Sequence, residues 1–238
     1  MIKNLIESFI NLIYPFRCIG CGKKIVDKTN ISLCSQCWLS IKRNYPPFCL
    51  RCGRHLEETD SSICKECKNK IYYFDRAFSA CIYEGLIVEL IHQFKYNGKD
   101  FLGRTLANIL IDFINTYKIP IKEFNLIIAV PLHPRKLRDR EYNQSQILAE
   151  AIAKEFRLNF IKDAVYKIKD TVSQTELSCQ ERLKNVTDSF RLNPKIDIKN
   201  KSILIVDDLL TTGATASELA RVLKLAGCKN TVVLTLAS

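Results

Sequence analysis

Chemistry is most concentrated between residues 203 and 215, which read Ile-Leu-Ile-Val-Asp-Asp-Leu-Leu-Thr-Thr-Gly-Ala-Thr. Two adjacent carboxylates, Asp207 and Asp208, close an apolar run. A turn of Thr211, Thr212, Gly213, Ala214 and Thr215 then opens onto a helical pattern. Threonine hydroxyls and unpaired backbone N–H groups at a helix start form a cradle for a phosphate. The carboxylates repel that phosphate, but they accept hydrogen bonds from neighbouring hydroxyls or help to hold a cation. Phosphate donors beside hydroxyl acceptors suit a ribose 5-phosphate. The plainer alternative is an ordinary strand-to-helix turn in which Thr215 is the N-cap and Glu218 completes a capping box.

A second constellation is metallic. Cys18/Cys21, Cys34/Cys37, Cys49/Cys52 and Cys64/Cys67 are four Cys-x-x-Cys pairs, two of them followed directly by glycine (Gly22 and Gly53). A two-residue gap lets both sulfurs of a pair reach one ion, and two pairs supply the four tetrahedral ligands that zinc takes. Eight thiols complete two Cys₄ sites, pairing 18/21 with 34/37 and 49/52 with 64/67. An interleaved cross-brace, or one ion in place of two, also fits the spacing. A closed Cys₄ shell leaves no open position for catalysis, so the zinc is read as structural. It would supply folding energy to a segment too short and too poor in apolar residues to build its own core. A thioredoxin-like redox site would need one such motif beside a βαβ unit, not four in succession. Cys81, Cys179 and Cys228 belong to no motif and read as small buried residues.

The elements that must position these groups follow an α/β pattern. The four apolar residues Ile203–Val206 read as a fully buried strand, and chemistry in open α/β sheets sits at the carboxyl end of such strands. Residues 126–130 form a second buried strand, running into Pro131, Leu132 and His133. A cationic loop with Arg135, Lys136, Arg138 and Arg140 follows, then a helix over residues 145–156. Arginine forks in a loop at a strand end suit pyrophosphate. Residues 78–83 read as a strand, 85–94 and 102–117 as helices, 163–169 as a short strand, and 231–236 as a last strand after a Gly227 C-cap. Residues 171–185 are polar, as befits a loop that closes over a ligand. Residues 2–14 have helical apolar spacing ended by Pro15. That helix either packs on the protein or docks on a partner or membrane surface, though its polar face has little positive charge.

Composition sets the frame. The 238 residues are 47% hydrophobic and 26% charged, ordinary for a soluble globular protein. The net charge of +11 fits polyanionic partners such as pyrophosphate, nucleic acid or a membrane surface, but no basic tail carries it. The sequence shows no secretory signal and no apolar run long enough to span a bilayer. Free thiols then point to the cytoplasm, with a peripheral place on the inner face of the membrane as the variant that the first helix would allow.

The Asp207–Thr215 run resembles the PRPP-binding signature of the type I phosphoribosyltransferases. Over almost the whole chain, the sequence resembles the ComF family of competence proteins, in which a cysteine-rich zinc region precedes a phosphoribosyltransferase domain. The residues carrying that resemblance are the four Cys pairs, Phe94-Lys95-Tyr96, Val130-Pro131-Leu132, Arg138 to Gln144, Gln174 with Arg182 and Asn185, and Asp207 to Thr215. Family members commonly carry Arg-Gly-Phe-Asn-Gln where this chain has Arg140-Glu141-Tyr142-Asn143-Gln144, so a carboxylate replaces a glycine.

The resemblance implies a parallel sheet flanked by helices over residues 76–238, preceded by a double zinc ribbon over 16–72 and an amphipathic helix over 1–15. It places ribose hydroxyls on Asp207 and Asp208, and the 5-phosphate in the loop from Leu209 and Leu210 through Thr211, Thr212, Gly213, Ala214 and Thr215. Pyrophosphate falls on Val130, Pro131, Leu132 and His133, and residues 173–185 become a flap. Lys95, Arg138, Arg140 and Arg182 are the candidate cations that stabilise a departing pyrophosphate, with Mg²⁺ bridging phosphate and ribose oxygens.

Three functions fit these implications: a phosphoribosyltransferase acting on an amine or ring nitrogen, a non-catalytic PRPP sensor, and an accessory of DNA uptake that grips single-stranded DNA. The third draws on Arg17, Lys23, Lys24, Arg43, Arg51 and Arg54 with Trp38, Tyr45 and Phe48. A solvated surface over a tiny core explains those side chains equally well. A homodimer is compatible with all three.

Overall fold

In the computed structural model, residues 17–25, 32–57, 61–171 and 186–238 are described. The expected first helix (1–15), the expected flap (173–185, with Gln174, Cys179, Arg182 and Asn185) and residues 26–31 and 58–60 therefore lie outside the described residues.

Four parallel strands form the central sheet, in the order β1 (Arg76–Cys81), β6 (Asn230–Ala237), β5 (Ser202–Leu209), β2 (Leu126–Ala129). Phe160 adds a bridge to Ile127 on the outer side of β2. The strands are apolar without alternation because both sheet faces are covered. One face carries Phe78, Ala80, Ile127, Ala129, Leu204, Val206, Leu234 and Leu236. Against it pack α3 (Leu86–Tyr96), α4 (Leu102–Thr116) and α6 (Gln144–Phe156). The other face carries Ala77, Leu126, Ile128, Val130, Ile203, Ile205 and Val233 beneath α7 (Ala214–Leu225) and the antiparallel pair β3 (Val165–Lys167) and β4 (Phe190–Leu192).

The cysteine-rich segment does not sit apart from this sheet. It carries two short helices, α1 (Ser35–Ser40) and α2 (Lys65–Lys68), each beginning directly after a cysteine. Its first half packs on one face of the sheet, where Cys18, Leu33 and Ile41 join the core around α3 and α4. Its second half packs on the other, where Cys49, Cys52, Leu56, Cys67 and Phe74 join the core under α7.

Between them the chain runs along the free edge of β1. Asn44 N–H donates to the Ala80 carbonyl (2.9 Å), Ile82 N–H to Lys42 (3.0 Å) and Ala77 N–H to Arg51 (2.7 Å). Asn44 is buried, and its amide spends every group. Nδ2 donates to the Gly53 and Ser79 carbonyls (2.7 and 2.8 Å), while Oδ1 accepts from the backbone of Tyr45 and His55. A buried amide left with an unused donor would cost about 1–3 kcal/mol, so this residue pins the crossing point.

Two local expectations are corrected. The basic stretch after His133 is not a loop but a helix, α5 (Pro134–Arg140). Pro134 sits at its first turn, where the missing N–H costs nothing, and the His133 ring accepts the Arg135 N–H. The capping box at Thr215 and Glu218 does not form. Gly213 is the N-cap in a left-handed conformation, and Glu218 instead accepts from the Asp188 N–H and the Arg221 guanidinium. Gly227, with φ of +87°, does end α7 as a left-handed residue.

Candidate functional site

The carboxyl ends of β5 and β2 open onto one cleft. It is lined by Lys95 and Tyr96 from α3, Val130, Pro131 and Leu132 after β2, Lys136 and Arg140 of α5, and Gln144 and Ser145 of α6. Lys167 of β3, Thr171, and Asp207, Asp208, Leu209, Thr211 and Thr215 complete the wall. The sequence motifs at residues 94–96, 130–132, 140–144 and 207–215 thus meet in space. The reason is topological: adjacent parallel strands deliver their following loops to the same sheet edge.

Each loop is held by the chain around it. Val130 N–H donates to the Val206 carbonyl (3.0 Å), and Asn143, which caps α6, donates from Nδ2 to the Val130 carbonyl (3.0 Å). Tyr142 Oη (2.6 Å) and Gln144 Nε2 (3.1 Å) both donate to the Phe94 carbonyl. Arg140 reaches Gln144 (3.2 Å) and the Tyr96 hydroxyl (3.3 Å) while lying over the Tyr96 ring. Glu141 adopts φ of +66°, the left-handed region that glycine enters freely.

The electrostatics divide the cleft. Lys95 Nζ lies 2.8 Å from Asp208, both side chains largely buried. Burial works against the lysine's charge, but Asp208 outweighs it and holds the ammonium's pKa above its usual value. Asp207 accepts from the Ser145 hydroxyl (2.8 Å) and from the Asp208 N–H (2.9 Å). Burial first and then the Asp208 charge push its pKa up to about 7, against the pull of Lys95. On the opposite wall, burial and then Lys136 bring Lys167 down to about 8. Burial and then Arg140 lower Lys136, whose Nζ donates to the Thr171 carbonyl (2.7 Å). Four cations therefore face two carboxylates, an arrangement that accepts a polyanion carrying hydroxyl groups.

Not every expected residue lines this cleft. Arg138 is on the exposed side of α5, Leu210 is buried beneath the loop, and His133 is spent on capping α5, 3.7 Å from Asp170. Lys136, named within the basic stretch, does line the cleft, and Lys167 and Ser145 line it without having stood out in the sequence. A lysine on a three-residue strand reads as solvated surface, and only the packing of β3 over the cleft turns Lys167 inward.

The cysteines form two groups, Cys18/21/34/37 and Cys49/52/64/67, and the sulfurs of each lie within 4.8 Å of one another. A tetrahedral ion with Zn–S bonds near 2.3 Å needs sulfurs about 3.8 Å apart. Cys21 and Cys34 are 3.7 Å apart, as are Cys52 and Cys64, well beyond a disulfide's bond length. The two sites repeat each other's hydrogen bonds: Cys34 N–H points at the Cys18 sulfur and Cys64 N–H at the Cys49 sulfur, each at 3.3 Å. Burial opposes ionisation of Cys18 and Cys49, but such N–H groups prevail and bring the two thiols down to about 6 and about 7. Both groups are built for structural zinc, in sequential pairing.

Comparison with known proteins agrees at both ends of the chain. Residues 9–68 match the double zinc ribbon domain, and residues 143–237 match the phosphoribosyl transferase domain. Competence protein F of Haemophilus influenzae is 29% identical over 229 residues, covering 94% of this chain and 97% of the relative. The chain is thus similar to competence protein F over nearly its whole length. Competence protein ComFC of Streptococcus pneumoniae is 26% identical over 90% of this chain and 96% of its own length. DNA utilization protein YhgH of Escherichia coli K12 is 26% identical over 87% and 83%. The phosphoribosyl transferase match begins at Asn143, so β1, α3 and β2, with Lys95 and Val130–Leu132, lie before it.

Proposed function

We propose that the cleft binds PRPP, or a closely related phosphorylated ribose, and that the protein serves DNA uptake, as the names of its relatives suggest. The single observation that carries this reading is the opposition of Asp207 and Asp208 to Lys95, Lys136, Arg140 and Lys167 beside the Thr211–Thr215 loop. Ribose hydroxyls would donate to the two aspartates. The 5-phosphate would take the backbone N–H groups and hydroxyls of residues 211–215 at the start of α7. The pyrophosphate would lie over Val130–Leu132 against Lys136, Arg140 and Lys167. Mg²⁺ would arrive with the ligand, since it favours phosphate oxygens and water. In the free chain Lys95 neutralises Asp208, and a ribose hydroxyl must share that carboxylate with it.

Such a site can also release pyrophosphate to an amine or ring nitrogen by positioning and charge stabilisation alone. Titration calorimetry with PRPP and Mg²⁺ tests the binding reading. Asp208→Asn and Asp207→Asn should each weaken binding about tenfold or more, on the scale of a lost charged hydrogen bond. Undiminished affinity in the double variant overturns it. Pyrophosphate release in the presence of a panel of amines and bases then separates a transferase from a sensor.

A second reading, single-stranded DNA on the zinc module, is favoured by exposed Tyr45 packed on His55 (ring centroids 4.0 Å) and Arg43 over Trp38 (4.5 Å). Affinity for an oligonucleotide should then fall steeply with salt. A flat salt response, or no binding at low salt, removes it. No helix among the described residues is long and apolar enough to cross a membrane. A cytoplasmic place, with or without a membrane partner, is proposed on the free thiols.

A further inference from the structure

The two ribbons are equivalent as metal sites but not in what they touch. From the second, Arg54 extends its guanidinium between two partners: one Nη donates to Glu66 of the ribbon (2.9 Å), and the other to the Thr211 carbonyl (3.0 Å). Thr211 opens the loop on which the 5-phosphate is placed. A trans peptide points its N–H opposite to its C=O. Anchoring the Thr211 carbonyl on Arg54 therefore turns the Thr212 N–H away from the ribbon, free to meet an anion.

Two residues further on, Gly213 (φ +77°) lies under the Tyr72 ring, so close that a Cβ there would stand 2.7 Å from Cε1. Tyr72 is stacked on Phe74 (centroids 4.6 Å) and packs against the core that holds Cys49, Cys52 and Cys67. Next to it, the Tyr73 N–H donates to the Ser217 hydroxyl in the first turn of α7 (3.0 Å). The glycine of the loop is thus required twice, by its backbone angle and by the ribbon's aromatic ring.

We propose that Arg54 and Tyr72 are positioning residues for the phosphate loop, so that the second zinc ribbon, and not the first, sets the conformation of residues 211–213. This rests on the reading of the cleft as a phosphoribosyl site, and it assigns to one zinc ribbon a part in ligand binding. Neither side chain touches the ligand. Both act through the backbone that does.

The test uses the full zinc-loaded chain. Arg54→Ala and Tyr72→Leu are compared with Arg43→Ala, in which the lost guanidinium lies over Trp38 beside the first ribbon. Two readouts are taken: amide hydrogen exchange across residues 209–216, and the Kd for PRPP with Mg²⁺. Zinc content, expected to stay at about two per chain, confirms that each variant keeps its ribbons.

Arg54→Ala and Tyr72→Leu should speed exchange in 209–216 about tenfold and weaken PRPP by a similar factor, the scale of a charged hydrogen bond. Arg54→Lys should restore part of both, and Arg43→Ala should move neither. Exchange and affinity unchanged in both Arg54→Ala and Tyr72→Leu overturn the proposal, as does an equal effect of Arg43→Ala. If the wild-type chain binds no PRPP, the phosphoribosyl reading fails by itself, and the exchange data still decide whether the ribbon sets the loop.

Discussion

The two ribbons begin alike. Each has a Cys-x-x-Cys-Gly knuckle whose glycine is left-handed, Gly22 at φ +72° and Gly53 at φ +74°. Their surroundings differ. A Cβ on Gly22 would meet nothing within 4 Å, whereas on Gly53 it would stand 2.4 Å from the Ala77 carbonyl of β1. Cys21, Cys34 and Cys37 of the first site keep solvent contact, while Cys49, Cys52 and Cys67 of the second are buried. One motif, used twice, is the more solvent-open in one place and buried against the backbone of β1 in the other. Local sequence specifies the metal site, and the packing partner specifies what the site is for.

The largest difference should come from removing equivalent ligands. Cys52→Ser and Cys21→Ser should each lower zinc content by about one ion per chain. Cys52→Ser should also destabilise the sheet domain by several kcal/mol, roughly 3 or more, because it unmakes a buried contact surface as well as a metal site. Cys21→Ser should leave the PRPP binding proposed for the cleft unchanged. Metal analysis with thermal unfolding checks both, and equal melting losses would erase the distinction.

Next come the glycines. Gly22→Ala should cost about 1 kcal/mol, the left-handed penalty alone, and Gly53→Ala about 3 kcal/mol or more, since the β1 backbone must also move. Denaturant midpoints at constant m-value measure the gap.

A third experiment asks whether the cleft depends on either metal. Asp207 has a folded pKa of about 7, above its unfolded value, so its ionisation costs stability. That cost is absent below about pH 4, where both states are protonated. It grows as pH rises towards 7, and then levels off. Asp207→Asn should therefore gain stability over wild type across that window, with zinc content unchanged in both ribbons. A difference independent of pH would show that Asp207 ionises as freely as in the unfolded chain.

The smallest effect is expected at Glu141, which shares the left-handed conformation of Gly22 and Gly53 without glycine's freedom. Glu141→Gly should raise stability by about 0.5–1 kcal/mol, read from the melting temperature.

How much of this was legible beforehand depended on sequence distance. β5, the turn at 211–215 and α7 are contiguous, so residue types alone revealed them, as the doubled spacing of the cysteines revealed the two metal sites. Helix α5 was harder, because Arg and Lys at high density resemble a loop until the cap at His133 and the proline at the first turn are weighed. Lys167 gains its place only when β3 folds over the cleft. Arg54 and Thr211 are 157 residues apart, and nothing in either stretch points to the other. Contacts of that kind depend on which sheet face each ribbon occupies, a choice made by the whole fold.

That choice has a consequence at the edge of the sheet. β1 is an outer strand in the hydrogen-bonding order, and its unpaired side is covered by residues 42–44 and 51, pinned by Asn44. An uncovered edge strand recruits other chains. The cysteine-rich segment is therefore also a guard against self-association: a chelator that strips both metals should yield particles growing with protein concentration before it yields a dispersed unfolded chain, and light scattering would see them form.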